Sequence, residues 1–269
     1  MIVIGENINA SNKSVAEAIA KRDEEFLAGL VRAEADAGAD FIDVNVGARH
    51  GTPEQEMETM EWLIELVQAT TEKPVSIDSD NPNVIKAALR KYRGEKMIIN
   101  SVNAEHERLE SISTLAAEHN AWLVALVMGA GGIPDTVDER LAACDVIMKH
   151  VTGLGIAEEN MFFDPLVLPI SVDSNQGLIT LETIERIKSR YPTARTVMGL
   201  SNISYGLPNR KLVNRAFLLM AASRGLDAAI LDPLDSKIMS FTKVADMLTG
   251  KDAHCKGYIK AHRKGILSD

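Results

Sequence analysis

The chain has 269 residues, 46% of them hydrophobic and 25% charged, with a formal net charge of −9. Acids and bases are interspersed without a basic run, which excludes the counterion-replacing surface that nucleic acid requires. No stretch approaches the roughly 20 apolar residues of a membrane span, and the opening MIVIGEN is too short and too neutral for a secretory leader.

Cys144 and Cys255 stand alone, far apart and outside any CxxC pair, as expected of a protein in the reducing cytoplasm. Strand-length apolar segments recur along the chain: MIVIG (1–5), FIDVNVG (41–47), PVSID (74–78), KMIINS (96–101), AWLVALVM (121–128), MFFDPL (161–166), TVMGLSN (196–202) and AAILDPL (228–234). Several are continuous Val/Ile/Leu runs, the pattern of parallel strands covered on both faces.

Helical spacing fills the intervals. Leu27, Leu30, Val31 and Ala35 share one stripe, as do Met57, Met60, Leu63, Ile64 and Val67, and later Leu212, Val213, Ala216, Phe217 and Met220. Gly38 and Gly225 sit where helix C-caps belong, and Asn81-Pro82 reads as an N-cap and first helical position. Strand and helix alternate without a Ser/Gly-rich linker, so residues 1–269 are expected to form one (β/α)₈ barrel; a doubly wound open sheet shares the same periodicity.

Barrels of this kind carry their chemistry at the C-terminal ends of the strands. Those ends supply Glu6 to Asn9, Asp43, Asn45, Asp78, Asn100, Met128, Asp164, Asn202 and Asp232: carboxylates and carboxamides, with neither histidine nor lysine. Lys96 precedes its strand, which excludes a Schiff-base lysine at the rim. The histidines fall outside the strand ends, which disfavours a zinc hydrolase, and no protein-bound metal is expected. Asp232 and Asp235 would repel a phosphate at the eighth strand, and VMGAGGIPD (127–135) lacks the lysine and hydroxyl of a P-loop, reading instead as a mobile loop.

What is left is a pocket of hydrogen-bond formers suited to a flat heterocycle. An ionised Asp accepts two parallel N–H donors from an aminopyrimidinone edge, and Asn satisfies mixed positions; a pterin has such edges. Plainer roles compete at several positions. Asp80, Asn81 and Asn103 suit helix caps, Asp164-Pro165 and Asp232-Pro233 suit turns, Arg49 and His50 suit a solvated loop, and the methionines suit core filling.

IGENIN (4–9), DVNVG (43–47), SIDSDN (76–81), MIINSVNAE (97–105), FFDPLVLP (162–169) and GLSNISYGLPNR (199–210) together resemble the methyltetrahydrofolate:corrinoid-protein methyltransferases, over essentially the whole chain and in matching order. These are pterin-binding barrels related to dihydropteroate synthase and to the folate domain of cobalamin-dependent methionine synthase. The resemblance implies a homodimeric barrel that moves a methyl group between methyltetrahydrofolate and cobalt on a separate corrinoid protein. It places pterin binding on Asp78, Asn100 and Asp164, further substrate contacts on Ser201, Tyr205 and Arg210, and the catalytic amide beside the methyl-bearing nitrogen on Asn202. Tyr205 stands where the family commonly has glutamine, which alters one folate contact.

The apolar helix from Leu212 to Ala222 suits a dimer face or ordinary barrel packing. The barrel units are used by about residue 250, and the remaining tail holds no Asp-x-His-x-x-Gly segment, so the corrinoid is expected from a partner. Two alternatives stand beside this reading. A dihydropteroate synthase would carry a Ser-Arg-Lys segment to hold diphosphate where Gly199-Leu200-Ser201-Asn202 lies here, and a non-catalytic folate-binding subunit would bind without transferring.

Overall fold

The computed structural model describes residues 1–47 and 52–268; Arg49 and His50 lie outside the described residues. The strands are β1 (Ile2–Asn9), β2 (Phe41–Asn45), β3 (Val75–Asp78), β4 (Met97–Val102), β5 (Trp122–Leu126), β6 (Met161–Asp164), β7 (Arg195–Gly199) and β8 (Ala228–Leu231). They pair in parallel in sequence order, and β8 pairs with β1 to close the ring, so the (β/α)₈ barrel forms and the open sheet does not. The helices are α1 (Lys13–Lys21), α2 (Glu24–Ala37), α3 (Pro53–Thr70), α4 (Pro82–Lys91), α5 (His106–Glu118), α6 (Val137–Gly153), α7 (Gln176–Arg190), α8 (Arg210–Ser223), α9 (Ser236–Leu248) and α10 (Lys256–Arg263).

Local chemistry sets many helix starts. Thr52 with Gln55 and Thr136 with Glu139 form reciprocal capping boxes for α3 and α6, and Asn81 and Asp235 accept backbone N–H groups at α4 and α9. Asn103 does not cap α5. It is buried two residues before the N-cap Glu105, whose N–H its Oδ1 accepts at 3.0 Å. Gly38 and Gly225 adopt the positive φ expected of them, 103° and 109°.

Successive strand residues alternate between two apolar layers. Outward residues such as Ile42, Val44, Ile77, Ile99, Leu123 and Phe163 pack under the helices. Inward residues Ile4, Phe41, Ile98, Val124, Phe162 and Val197 fill the barrel's lower half. Trp122 plugs that floor between Phe41 and Phe162, with ring centroids 5.5 and 5.4 Å away, and Arg195 lies 4.7 Å from its ring. The floor closes the lower end, so a ligand enters from above.

Two sequence expectations need correction. The seventh segment leaves the sheet at Gly199, and Leu200–Ser204 form a 3₁₀ turn, so Ser201 and Asn202 stand on that turn rather than on a strand. Apolar Leu200 continues the run in sequence while its backbone has already turned. The buried face of α8 is Phe217, Leu218, Ala221 and Ala222, one position on from the expected stripe, leaving Leu212 and Met220 exposed.

Candidate functional site

Two residues beyond several floor residues, the same inward face turns polar. Phe41 is followed by Asp43 and Asn45, Ile98 by Asn100, and Phe162 by Asp164. Register aligns Asn9, Asn45, Asp78 and Asn100 side by side around β1 to β4. Asn45 Nδ2 donates to Asp78 Oδ2 at 2.7 Å, and its Oδ1 accepts the Gly47 N–H at 2.8 Å. Asp78, Asn100 and Asp164 are thus gathered on one arc of the mouth by the barrel's alternation alone.

Asp43 lies beneath Asp78 and is buried, with no partner for Oδ1 among the described residues. Burial holds both carboxyls above the ordinary range, and the neighbouring like charge adds to the effect on Asp43. Asn45 and Arg108 act in the opposite sense on Asp78. Asp164 is pushed up to about 6 by burial, against the Leu166 N–H that its Oδ1 accepts at 2.8 Å and the charge of Arg140. That hydrogen bond gives Asp164 a turn role as well as an inward position. Asp232 has the same dual character, accepting from the Leu234 N–H at 2.9 Å and from Asn7 Nδ2 at 2.8 Å.

The opposite wall is built differently. In an eight-stranded ring β7 faces β3, so the turn after β7 stands across the mouth from Asp78. Asn202 is exposed on that turn, and its carboxamide folds back over Gly199: a Cβ added at Gly199 would lie 3.2 Å from Asn202 Nδ2. Arg210 braces the turn, donating from Nη2 to the Ser201 carbonyl at 2.6 Å and from Nε to Ser204 Oγ at 3.1 Å. Tyr205 follows with its side chain 65% exposed and its ring 5.9 Å from the Arg210 guanidinium. Ser171 Oγ holds its carbonyl at 2.6 Å.

Glu6 enters the site beside these residues. Glu6 continues the inward alternation of Ile2 and Ile4 into the β-bulge between Gly5 and Ile8, and its Oε1 accepts from Ser201 Oγ at 3.2 Å. Glu6, Ser201, Arg210 and Asp232 line a cavity of about 340 Å³. A larger groove, about 800 Å³, lies on the flank between α1 and α3 and contains none of the arc residues. Beneath the bulge, fully buried Glu34 reaches up from α2, and its Oε1 accepts the Asn7 N–H at 2.9 Å. Burial pushes Glu6 and Glu34 each up to about 7.

Sequence reasoning placed Glu6 at a strand end without giving it a role, and it passed over Glu34. The available signal was position: Leu27, Val31 and Glu34 share the buried face of α2, so a carboxyl interrupts an apolar stripe. Among the described residues no cluster of three or more His, Cys, Asp or Glu is placed to hold a metal ion, and no helix is long and apolar enough to cross a membrane.

One arc thus presents carboxyls and amides, and the other presents Asn202 beside Glu6, Ser201 and Arg210. The family model described as pterin binding enzyme matches residues 5–232. A methylcorrinoid:tetrahydrofolate methyltransferase of Eubacterium limosum is 35% identical, with 99% of this chain and 98% of that protein aligned. A methionine synthase of Mycobacterium tuberculosis is 30% identical over 91% of this chain, which corresponds to 21% of that protein. The solved dihydropteroate synthase of Xanthomonas albilineans superposes with a TM-score of 0.68 at 19% identity, covering 94% of this chain and 93% of that one, a likeness of fold. The chain belongs to the pterin binding enzyme family.

Proposed function

We propose that this protein transfers a methyl group between the methyl-bearing nitrogen of tetrahydrofolate and the cobalt of a separate corrinoid protein. The observation that carries the reading is the placement of Asn202 over Gly199, across the mouth from Asp78 and Asn100. The full-length likeness to a methylcorrinoid:tetrahydrofolate methyltransferase supports it. On this reading Asp78, Asn100 and Asp164 bind the pterin edge, Ser201, Tyr205 and Arg210 line the approach, and Asn202 contacts the reacting nitrogen.

A tertiary amine is a poor leaving group unless its nitrogen is protonated. In transfer to cobalt(I), the nitrogen–methyl bond breaks as the cobalt–carbon bond forms, and the nitrogen keeps the electron pair with its proton. Cobalt(I) becomes methylcobalt(III). The reverse direction uses the same contacts. A neutral carboxamide accepts from a protonated nitrogen and, after an amide flip, donates to its lone pair, so Asn202 serves both states. The protein's contribution is orientation and preorganised electrostatic support.

The test is a methyl-transfer assay with methyltetrahydrofolate and a cobalt(I) acceptor, run beside folate titration. Transfer is expected. Binding without transfer would make the chain a folate-binding subunit, and condensation of a pterin diphosphate with para-aminobenzoate would make it a synthase. The homodimer belongs to the same proposal, with exposed Leu212 and Met220 on α8 as its apolar contacts; a monomeric mass by ultracentrifugation would remove it.

A further inference from the structure

Arg140 is fully buried, although it lies in the first turn of α6, where a cation opposes the helix dipole. Its guanidinium binds neutral acceptors on three segments. Nε donates to the Pro134 carbonyl at 3.2 Å, Nη1 to the Pro165 and Leu166 carbonyls at 2.7 and 3.2 Å, and Nη2 to Gln176 Oε1 at 3.4 Å. Pro165 and Leu166 are the two residues after Asp164. Leu166 has a φ of 65°, a left-handed conformation uncommon for leucine, and its N–H is the group that holds Asp164 Oδ1 at 2.8 Å. The guanidinium therefore pins both carbonyls of a turn whose next hydrogen bond orients the carboxylate.

We propose that Arg140 is the positioning residue of Asp164: it fixes the left-handed turn that aims the carboxylate into the mouth, and its charge faces that carboxylate across the loop. This deepens the folate reading and rests on it for its consequence in binding. Two roles follow from one group. The planar fork holds the turn, which a lysine could not reproduce, and the positive charge opposes the effect of burial on Asp164. The other charged groups near this pair are Asp135 on the β5–α6 loop, which faces Arg140, and Asp173 before α7, which accepts from Gln176 Nε2 at 3.0 Å.

The experiment separates the two roles in the full-length, ligand-free protein. Carboxyl ¹³C NMR follows the Asp164 titration, assigned with Asp164→Asn, and hydrogen exchange follows the Leu166 amide. Arg140→Gln is expected to raise the Asp164 midpoint by about one pH unit. Methyltetrahydrofolate affinity should then fall about tenfold near pH 5 and about twofold near pH 7, and recover toward pH 9, where the carboxyl is ionised again. A purely structural loss would not recover with pH. Arg140→Lys should keep the midpoint near that of the parent while the Leu166 amide exchanges faster. An unmoved midpoint in folded Arg140→Gln overturns the charge role. Unchanged Leu166 exchange in Arg140→Lys overturns the positioning role, and this arm decides if the glutamine variant fails to fold. If the parent protein does not bind methyltetrahydrofolate while the midpoint shifts, the folate reading falls and the Arg140–Asp164 coupling stands.

Discussion

The Asn202 carboxamide fills the space that Gly199 leaves on the inner wall: a Cβ on Gly199 would lie 3.2 Å from Asn202 Nδ2. Gly199 itself has φ −71° and ψ 92°, which any residue can adopt, so the glycine serves space rather than backbone freedom. Gly199→Ala should therefore fold normally while pushing the amide a few tenths of an ångström out of place. Methyl transfer is expected to fall by up to about 10-fold, with an unchanged thermal melt, because a full ångström of misplacement costs roughly 10²-fold where alignment matters and this shift is smaller. Full activity in Gly199→Ala would show that the amide's location is not critical.

Asn202→Ala removes the group altogether. Its side chain is exposed, so stability should hold. Methyl transfer should drop roughly 10²- to 10³-fold, the scale of losing one preorganised donor, with folate affinity reduced far less. Single-turnover kinetics with a cobalt(I) acceptor give the rate, and a folate titration gives the affinity. A variant that turns over at the parental rate would take Asn202 out of the mechanism.

Asp78→Ala should do the reverse. Asp78 stands beside Asn45 and Asn100 in the register row and holds the Asn45 amide at 2.7 Å. Removing it leaves two pterin N–H donors and the Asn45 amide without their acceptor, a loss of about 1–3 kcal/mol for each donor stranded. Calorimetric titration with methyltetrahydrofolate should show a Kd weakened at least tenfold, and an unaltered Kd would move the pterin edge elsewhere.

Much of this was legible in the sequence because a barrel strand writes its layers at period two. Phe162 followed by Asp164, or Ile98 followed by Asn100, states both the floor and the mouth in three residues. The end of β7 was not legible. Leu200 is apolar and buried, so hydropathy continues where hydrogen bonding stops, and the turn that carries Asn202 looks like more strand. The phase of α8 slipped for a related reason: its apolar residues cover more of the helix than the barrel buries, and only packing selects Phe217 and Leu218 over Leu212. Arg140 and Glu34 were hidden for another reason. A charged residue on an amphipathic helix defaults to the solvated face, and only tertiary contacts show these two turned inward.

Glu34 gives the pH prediction. Its Oε1 accepts the Asn7 N–H, its Oε2 has no partner among the described residues, and burial pushes it from an ordinary 4.5 up to about 7. Between those values the folded chain keeps a proton that the unfolded chain has released. Stability is therefore fully present below about pH 4.5 and is lost as pH rises through about 7. A displacement of this size corresponds to about 3 kcal/mol. Glu6 acts in the same direction but faces the cavity, where water weakens its share. Glu34→Gln keeps the acceptor for Asn7 and cannot ionise. It should match the parent near pH 4.5 and exceed it at pH 8.5 by up to about 3 kcal/mol, read from urea unfolding at the two pH values. If the glutamine variant is no more stable than the parent at pH 8.5, Glu34 is not held protonated in the fold, and the buried carboxyl must find its compensation in the native state.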